Sequence, residues 1–227
     1  PALLGRFYTI QQAGYYSQGS KWTTMGYSTI FGMINSVGQP VFREASEDTQ
    51  RLQNIFRKLM RFTAFVSFPA MLGLAIVSQE LIVISITEKW LPCVPVMQIL
   101  CVWGAFMPIS TLYSNLMNSI GRPNIYMWNT IALGIFQLLC VWGSYPYGLN
   151  VMLIVYTAAN IFWLLIWHYF AHKHIGISLF NTLKDIAPYL IISVAVMTFT
   201  YWVAGYVKNI YLSLLVKVAL AASLYIF

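Results

Sequence analysis

Residues 94–120 read VPVMQILCVWGAFMPISTLYSNLMNSI, a run without one Asp, Glu, Lys, Arg or His. As a helix rising 1.5 Å per residue it would reach about 40 Å. A bilayer's hydrocarbon core is roughly 30 Å thick and needs about 20 apolar residues to cross. Strict alternation, the mark of a membrane β-strand, is absent, so the run is helical. Only a helix or a closed barrel satisfies every backbone group where no water is present.

The flanking sequence repeats this pattern. A second span is expected at about Trp22 to Phe42, after residues up to about Tyr16 that look like the tail of a first. A third runs from about Phe62 to Val83, a fifth from Pro123 to Trp142 and a sixth from Val151 to Phe170. A seventh covers Ile186 to Tyr206, and a last starts near Asn209. The expectation is an all-α polytopic transmembrane bundle of about seven to eight spans, one unit over residues 1–227. Composition agrees: 59% of residues are hydrophobic, 8% are charged, and the mean hydropathy is +0.68. Soluble domains carry about 25% charge. The chain opens on Pro1 and ends on Phe227 inside an apolar run, so it is expected to be part of a longer protein.

Charge sets an orientation. One set of loops holds Arg43, Arg51, Arg57, Lys58, Arg61, Arg122, Lys173 and Lys184; the other holds Lys21, Lys89 and Lys208. Eight against three puts the 43–61 loop in the cytoplasm by the positive-inside rule. The net charge of +7 therefore faces a membrane surface rather than nucleic acid. Within 46–61, Leu52, Ile55, Phe56, Leu59 and Met60 recur at helical spacing, with Ser46 as the expected N-cap. This segment is either an amphipathic helix in the interface or a cytoplasmic extension of the next span.

No enzyme emerges. His168, His172 and His174 cluster at one span end beside Trp167 and Tyr169, a place for interfacial anchors, and no metal or cofactor set is legible. Cys93, Cys101 and Cys140 lack metal spacing. The six carboxylates fall in or beside expected loops, with none in mid-span where an ion-coupling acid would sit. Uncharged polar groups remain: Asn35 and Gln39, one helical turn apart, in the second span, and Ser110, Thr111, Ser114, Asn115, Asn118 and Ser119 in the fourth. Such faces avoid lipid tails, and turn toward other helices or a hydrated cavity. Pro69, Pro108 and Pro188 are expected to kink their spans or to serve static packing.

Several stretches carry a resemblance. Ala13-Gly14-Tyr15-Tyr16-Ser17 precedes a polar span, and Val41-Phe42-Arg43 precedes an amphipathic segment. Phe68-Pro69-Ala70-Met71-Leu72-Gly73-Leu74, Glu88-Lys89-Trp90-Leu91-Pro92, Gln98-Ile99-Leu100 and Asn115 through Gly121-Arg122-Pro123 follow in order. The series resembles the C-terminal half of bacterial polysaccharide and lipid-linked O-antigen flippases, within the multidrug/oligosaccharidyl-lipid/polysaccharide exporter superfamily. It is strongest from about Leu4 to Asn124. The resemblance implies one lobe of a two-lobe transporter in the bacterial inner membrane, facing an absent N-terminal lobe across a cleft. It also implies export of an isoprenoid-pyrophosphate-linked oligosaccharide, with polysaccharide assembly proteins as possible partners. Arg6 and then Lys21 are the candidate cations for the pyrophosphate; Asn35, Gln39, Asn115 and Asn118 are candidates to bind the glycan or line the cleft. For Arg6 and Lys21 the alternative is snorkelling to the headgroups. A drug or metabolite antiporter, which would want a buried acid, and a non-transport scaffold stay open beside it.

Overall fold

A computed structural model describes residues 9–207 and 209–226, the last by its backbone. Helix takes 91% of the described residues, with no strand among them. The elements are α1 (Ile10–Glu44), α2 (Thr49–Ile76), α3 (Ser78–Ser85), α4 (Val94–Ser119), α5 (Pro123–Ser144), α6 (Leu149–Ile175), α7 (Leu179–Ala204) and α8 (Ile210–Ile226). Short 3-10 turns, Glu88–Cys93 and Tyr145–Tyr147, precede α4 and follow α5. The chain is an all-α membrane helix bundle.

Local chemistry sets the boundaries. Thr9 and Gln12 cap each other reciprocally at the start of α1. The described part of the expected first span and the whole second are therefore one helix of 35 residues, not two. Asp48, not Ser46, caps α2: its carboxylate accepts from the backbone N–H of Gln50 at 2.9 Å and of Arg51 at 3.0 Å. One hydroxyl rarely serves two amides so well, and Ser46 instead donates to the Arg43 carbonyl at the end of α1. From Thr49 the helix runs unbroken to Ile76, so the amphipathic stretch is continuous with the span that follows. The expected third span is interrupted at Val77, where α2 stops and α3 begins. Pro69, Pro108 and Pro188 all lie inside helices that continue past them.

Helix directions follow from the contacts. Thr23 meets Cys101, Asn35 meets Asn115 and Gln39 meets Ser119, so α1 and α4 run parallel. Ser67 donates to Ala105 and Gln98 to Ala75, so α2 runs the other way. With α5, α6, α7 and α8 alternating in turn, Arg43, Arg51, Arg57, Arg61, Arg122, Lys173 and Lys184 share one end of the bundle.

α4 is the central helix, packed on α1, α2 and α6. Its core partners include Phe42, Phe56, Phe68 and Met71, all fully buried. Close approach is permitted by Gly19, where a methyl would stand 3.1 Å from the backbone nitrogen of Met97. The outer helices show lipid-like surfaces: α5 exposes Trp128, Ile135, Leu138 and Trp142, and α7 exposes Ile191, Phe199 and Trp202. Among the described residues, five helical stretches are long and apolar enough to cross a membrane: α2, Glu88–Ser119, Pro123–Tyr147, α6 and α7. α8 is a shorter apolar helix, and α1, although the longest, is not among the five. Its polar face is the reason.

Candidate functional site

An open cavity of about 610 Å³ lies between α1, α4, α5 and α6. α1 gives it Phe31, Asn35 and Gln39, and α4 gives it Trp103, Met107, Ser110, Thr111, Ser114, Asn115 and Asn118. From α5 come Tyr126, Thr130, Leu133 and Gln137, and from α6 Tyr156, Asn160 and Trp167. None of these lining residues carries a formal charge.

The wall is held by amide pairs between helices. Asn115 donates to the Asn35 side-chain oxygen at 2.9 Å, joining α4 to α1. Gln137 donates to Asn160 at 2.8 Å, joining α5 to α6, and Asn160 donates in turn to the Tyr156 carbonyl. Ser119 donates to the Gln39 carbonyl near the mouth. A second open cavity of about 670 Å³ is lined by Asn35, Ser36, Gln39, Pro40, Arg43 and Glu44. The shared Asn35 and Gln39 put the two cavities side by side, together the cleft, with Arg43 and Glu44 of the second at the basic end of the bundle.

The residues expected from sequence fare differently. Asn35, Gln39, Asn115 and Asn118 are brought together in this cleft. Lys21 lies on the exposed face of α1 and lines neither cavity. Arg6 lies outside the described residues. Gln137, Asn160 and the aromatic walls Trp103, Tyr126 and Tyr156 are not among the residues expected from sequence, and Trp167, expected as an interfacial anchor, is buried and lines the cleft instead. The signal for Asn160 was there, as a lone amide in an otherwise apolar run, whereas Gln137 shares its run with Asn124 and Asn129.

Three expectations about charge are corrected. Glu80 is buried, not loop-exposed: Lys217 of α8 donates to Glu80 and to the Ile76 carbonyl, and Ser213 donates to Glu80 at 2.8 Å. The Val77 interruption places Glu80 there, and a lysine within the last apolar run was the overlooked signal. Asp185 is also buried, inside α7, and is clamped by Arg57 at 2.6 Å and Arg61 at 2.9 Å. His168 is buried rather than anchoring at the interface, with its ring nitrogen 3.2 Å from the Tyr113 hydroxyl. No His, Cys, Asp and Glu grouping able to hold a metal occurs among the described residues.

Fold and site together define a class: a multi-pass helical membrane protein with an uncharged, amide-rich cleft among its helices. Within that class, residues 1–95 match the family described as polysaccharide biosynthesis protein, so the likeness read from the sequence is borne out. An uncharacterized membrane protein of the cps region of Klebsiella pneumoniae is 30% identical over 110 residues, 48% of this chain and 23% of that protein. The lipopolysaccharide biosynthesis protein WzxC of Escherichia coli is 28% identical over 135 residues, 59% of this chain and 27% of WzxC. The teichuronic acid biosynthesis protein TuaB of Bacillus subtilis is 25% identical over the same length, 59% of this chain and 28% of TuaB. The chain thus spans about a quarter of the length of the curated relatives it matches. No solved structure matches it.

Proposed function

We propose that this chain is one lobe of a flippase that moves an isoprenoid-pyrophosphate-linked oligosaccharide across the bacterial inner membrane for surface polysaccharide synthesis. The observation that carries the reading is the cleft. A glycan cannot enter hydrocarbon unaided, and amide side chains, which both donate and accept, suit sugar hydroxyls without charge. Asn35, Gln39, Asn115, Asn118, Gln137 and Asn160 supply such groups, and Trp103, Tyr126, Tyr156 and Trp167 supply flat apolar walls for ring faces. Relatives with names in lipopolysaccharide and teichuronic acid biosynthesis support the same substrate class.

The cleft opens toward the basic end, which in this reading is the cytoplasmic side where lipid-linked precursors are made. A second lobe of the full-length protein closes the cleft opposite α1, and alternation between two openings carries the sugar across. The antiporter reading asks for a buried acid in the transport path. Glu80 is buried, yet it lies outside the cleft and is neutralised by Lys217.

The test is complementation. A strain lacking the gene should stop displaying surface polysaccharide and accumulate the lipid-linked oligosaccharide in the cytoplasmic leaflet, and the full-length gene should restore both. Normal surface polysaccharide in the deletion strain removes the reading.

A further inference from the structure

α1 carries a polar stripe longer than the cleft. At about 100° per residue, Lys21, Ser28, Gly32, Asn35, Gln39 and Arg43 fall within about 80° of arc from Lys21 to the end of the helix, with the exposed Met25 the one apolar side chain of that stretch among them. All of them except Asn35, which lines the cleft, are exposed. An exposed polar face at membrane depth has to look onto water or protein rather than acyl chains.

The two ends of the stripe are cations. Lys21 and Arg43 are 22 positions apart, which is about 33 Å along a helix and close to the roughly 30 Å of a bilayer core. Both are uncommitted: neither makes an ion pair among the described residues. Arg51 is paired with Glu44, Arg57 and Arg61 with Asp185, and Lys217 with Glu80; Lys58, Lys89, Arg122, Lys173 and Lys184 are unpaired too, so it is their place on the stripe that sets Lys21 and Arg43 apart. Arg43 lines the mouth of the cleft, and Lys21 lies ten positions beyond Phe31, the cleft residue of α1 farthest from that mouth.

We propose that this face of α1 is the track for the diphosphate of the lipid-linked substrate, with Arg43 as its cytoplasmic station and Lys21 as its far station. The inference rests on the flippase reading and gives it a geometry. While the sugar occupies the uncharged cleft, the diphosphate stays at headgroup level on Arg43, whose planar donor fork fits phosphate oxygens. After the opening alternates, Lys21 receives it at the other leaflet. The uncharged lining between them holds no ion that would trap the diphosphate midway.

The test uses the full-length protein and four variants: Arg43→Gln, Arg43→Lys, Lys21→Gln and Lys58→Gln. Lys58 is an exposed basic residue of the same end, off the stripe on α2. In phosphatidylcholine nanodiscs, binding of a sugar-free polyisoprenyl diphosphate should weaken at least tenfold in Arg43→Gln. It should weaken less in Arg43→Lys and stay within twofold in Lys58→Gln. Inorganic pyrophosphate should compete. Displacement by phosphatidylglycerol as readily as by pyrophosphate would reduce Arg43 to a headgroup anchor and overturn the proposal. In complemented cells, Arg43→Gln and Lys21→Gln should each cut surface polysaccharide at least fivefold at equal membrane abundance. If the wild-type gene restores export and both Gln variants do too, the track fails while the flippase reading stands. If the wild-type gene restores nothing, the reading itself fails.

Discussion

Asn115 of α4 and Asn35 of α1 meet in a 2.9 Å hydrogen bond that spans 80 positions of sequence and forms part of the cleft wall. Gly38 allows the meeting, because a methyl there would stand 3.3 Å from the Asn115 amide nitrogen. The pair both joins two helices and offers its remaining amide groups to the cleft. Its removal should therefore affect stability and transport in different ways.

Replacing Asn115 alone by Leu leaves Asn35 without its partner and should cost about 1–2 kcal/mol of stability. The double change Asn35→Leu/Asn115→Leu should recover most of that stability while export stays at least tenfold down. Thermal unfolding of the full-length protein in detergent, beside surface polysaccharide measurements, reads both. Recovery of export in the double variant would make the pair structural only.

The Glu80–Lys217 pair should behave as a buried ion pair. Removing one partner, as in Glu80→Gln or Lys217→Met, should destabilise by about 3–5 kcal/mol, and Glu80→Met/Lys217→Met should regain much of it. Denaturation of the three variants checks this. A double-variant loss equal to the sum of the two single losses would show that the charges do not depend on each other.

Crowding at Gly19 should separate α1 from α4. Gly19→Val should cost about 1–3 kcal/mol, because the nearest obstacle includes the Met97 backbone, which cannot rotate aside. The same thermal unfolding assay measures it, and an unchanged midpoint would place the two helices farther apart than described.

The orientation is checked by cysteine labelling in a background without Cys93, Cys101 and Cys140. Ser46→Cys should be shielded from an impermeant reagent in intact cells, whereas Tyr147→Cys, at the opposite end, should react. The reverse pattern would invert the topology.

Much of this was legible in the sequence, for physical reasons. Long uncharged runs and grouped basic residues mark helices and their ends, because burial in lipid and capping act on local chemistry. The polar faces of α1 and α4 were legible too, since Asn35, Gln39, Asn115 and Asn118 recur at helical spacing. What local pattern could not give was pairing across the bundle. Glu80 looked like a loop acid because its partner lies 137 positions away on α8, and Asp185 because its arginines lie on α2. Gln137 and Asn160 each looked incidental until α5 and α6 brought them together.

The central claim is a hydrated cleft among α1, α4, α5 and α6 that opens at the basic end. Cysteines at Ser114, inside it, and at Leu138, on the outer face of α5, test this in inside-out membrane vesicles of the full-length protein lacking its native cysteines. The account predicts that a charged methanethiosulfonate reagent modifies Ser114→Cys within minutes and spares Leu138→Cys. A protected cysteine at 114 with a reactive one at 138 would contradict it.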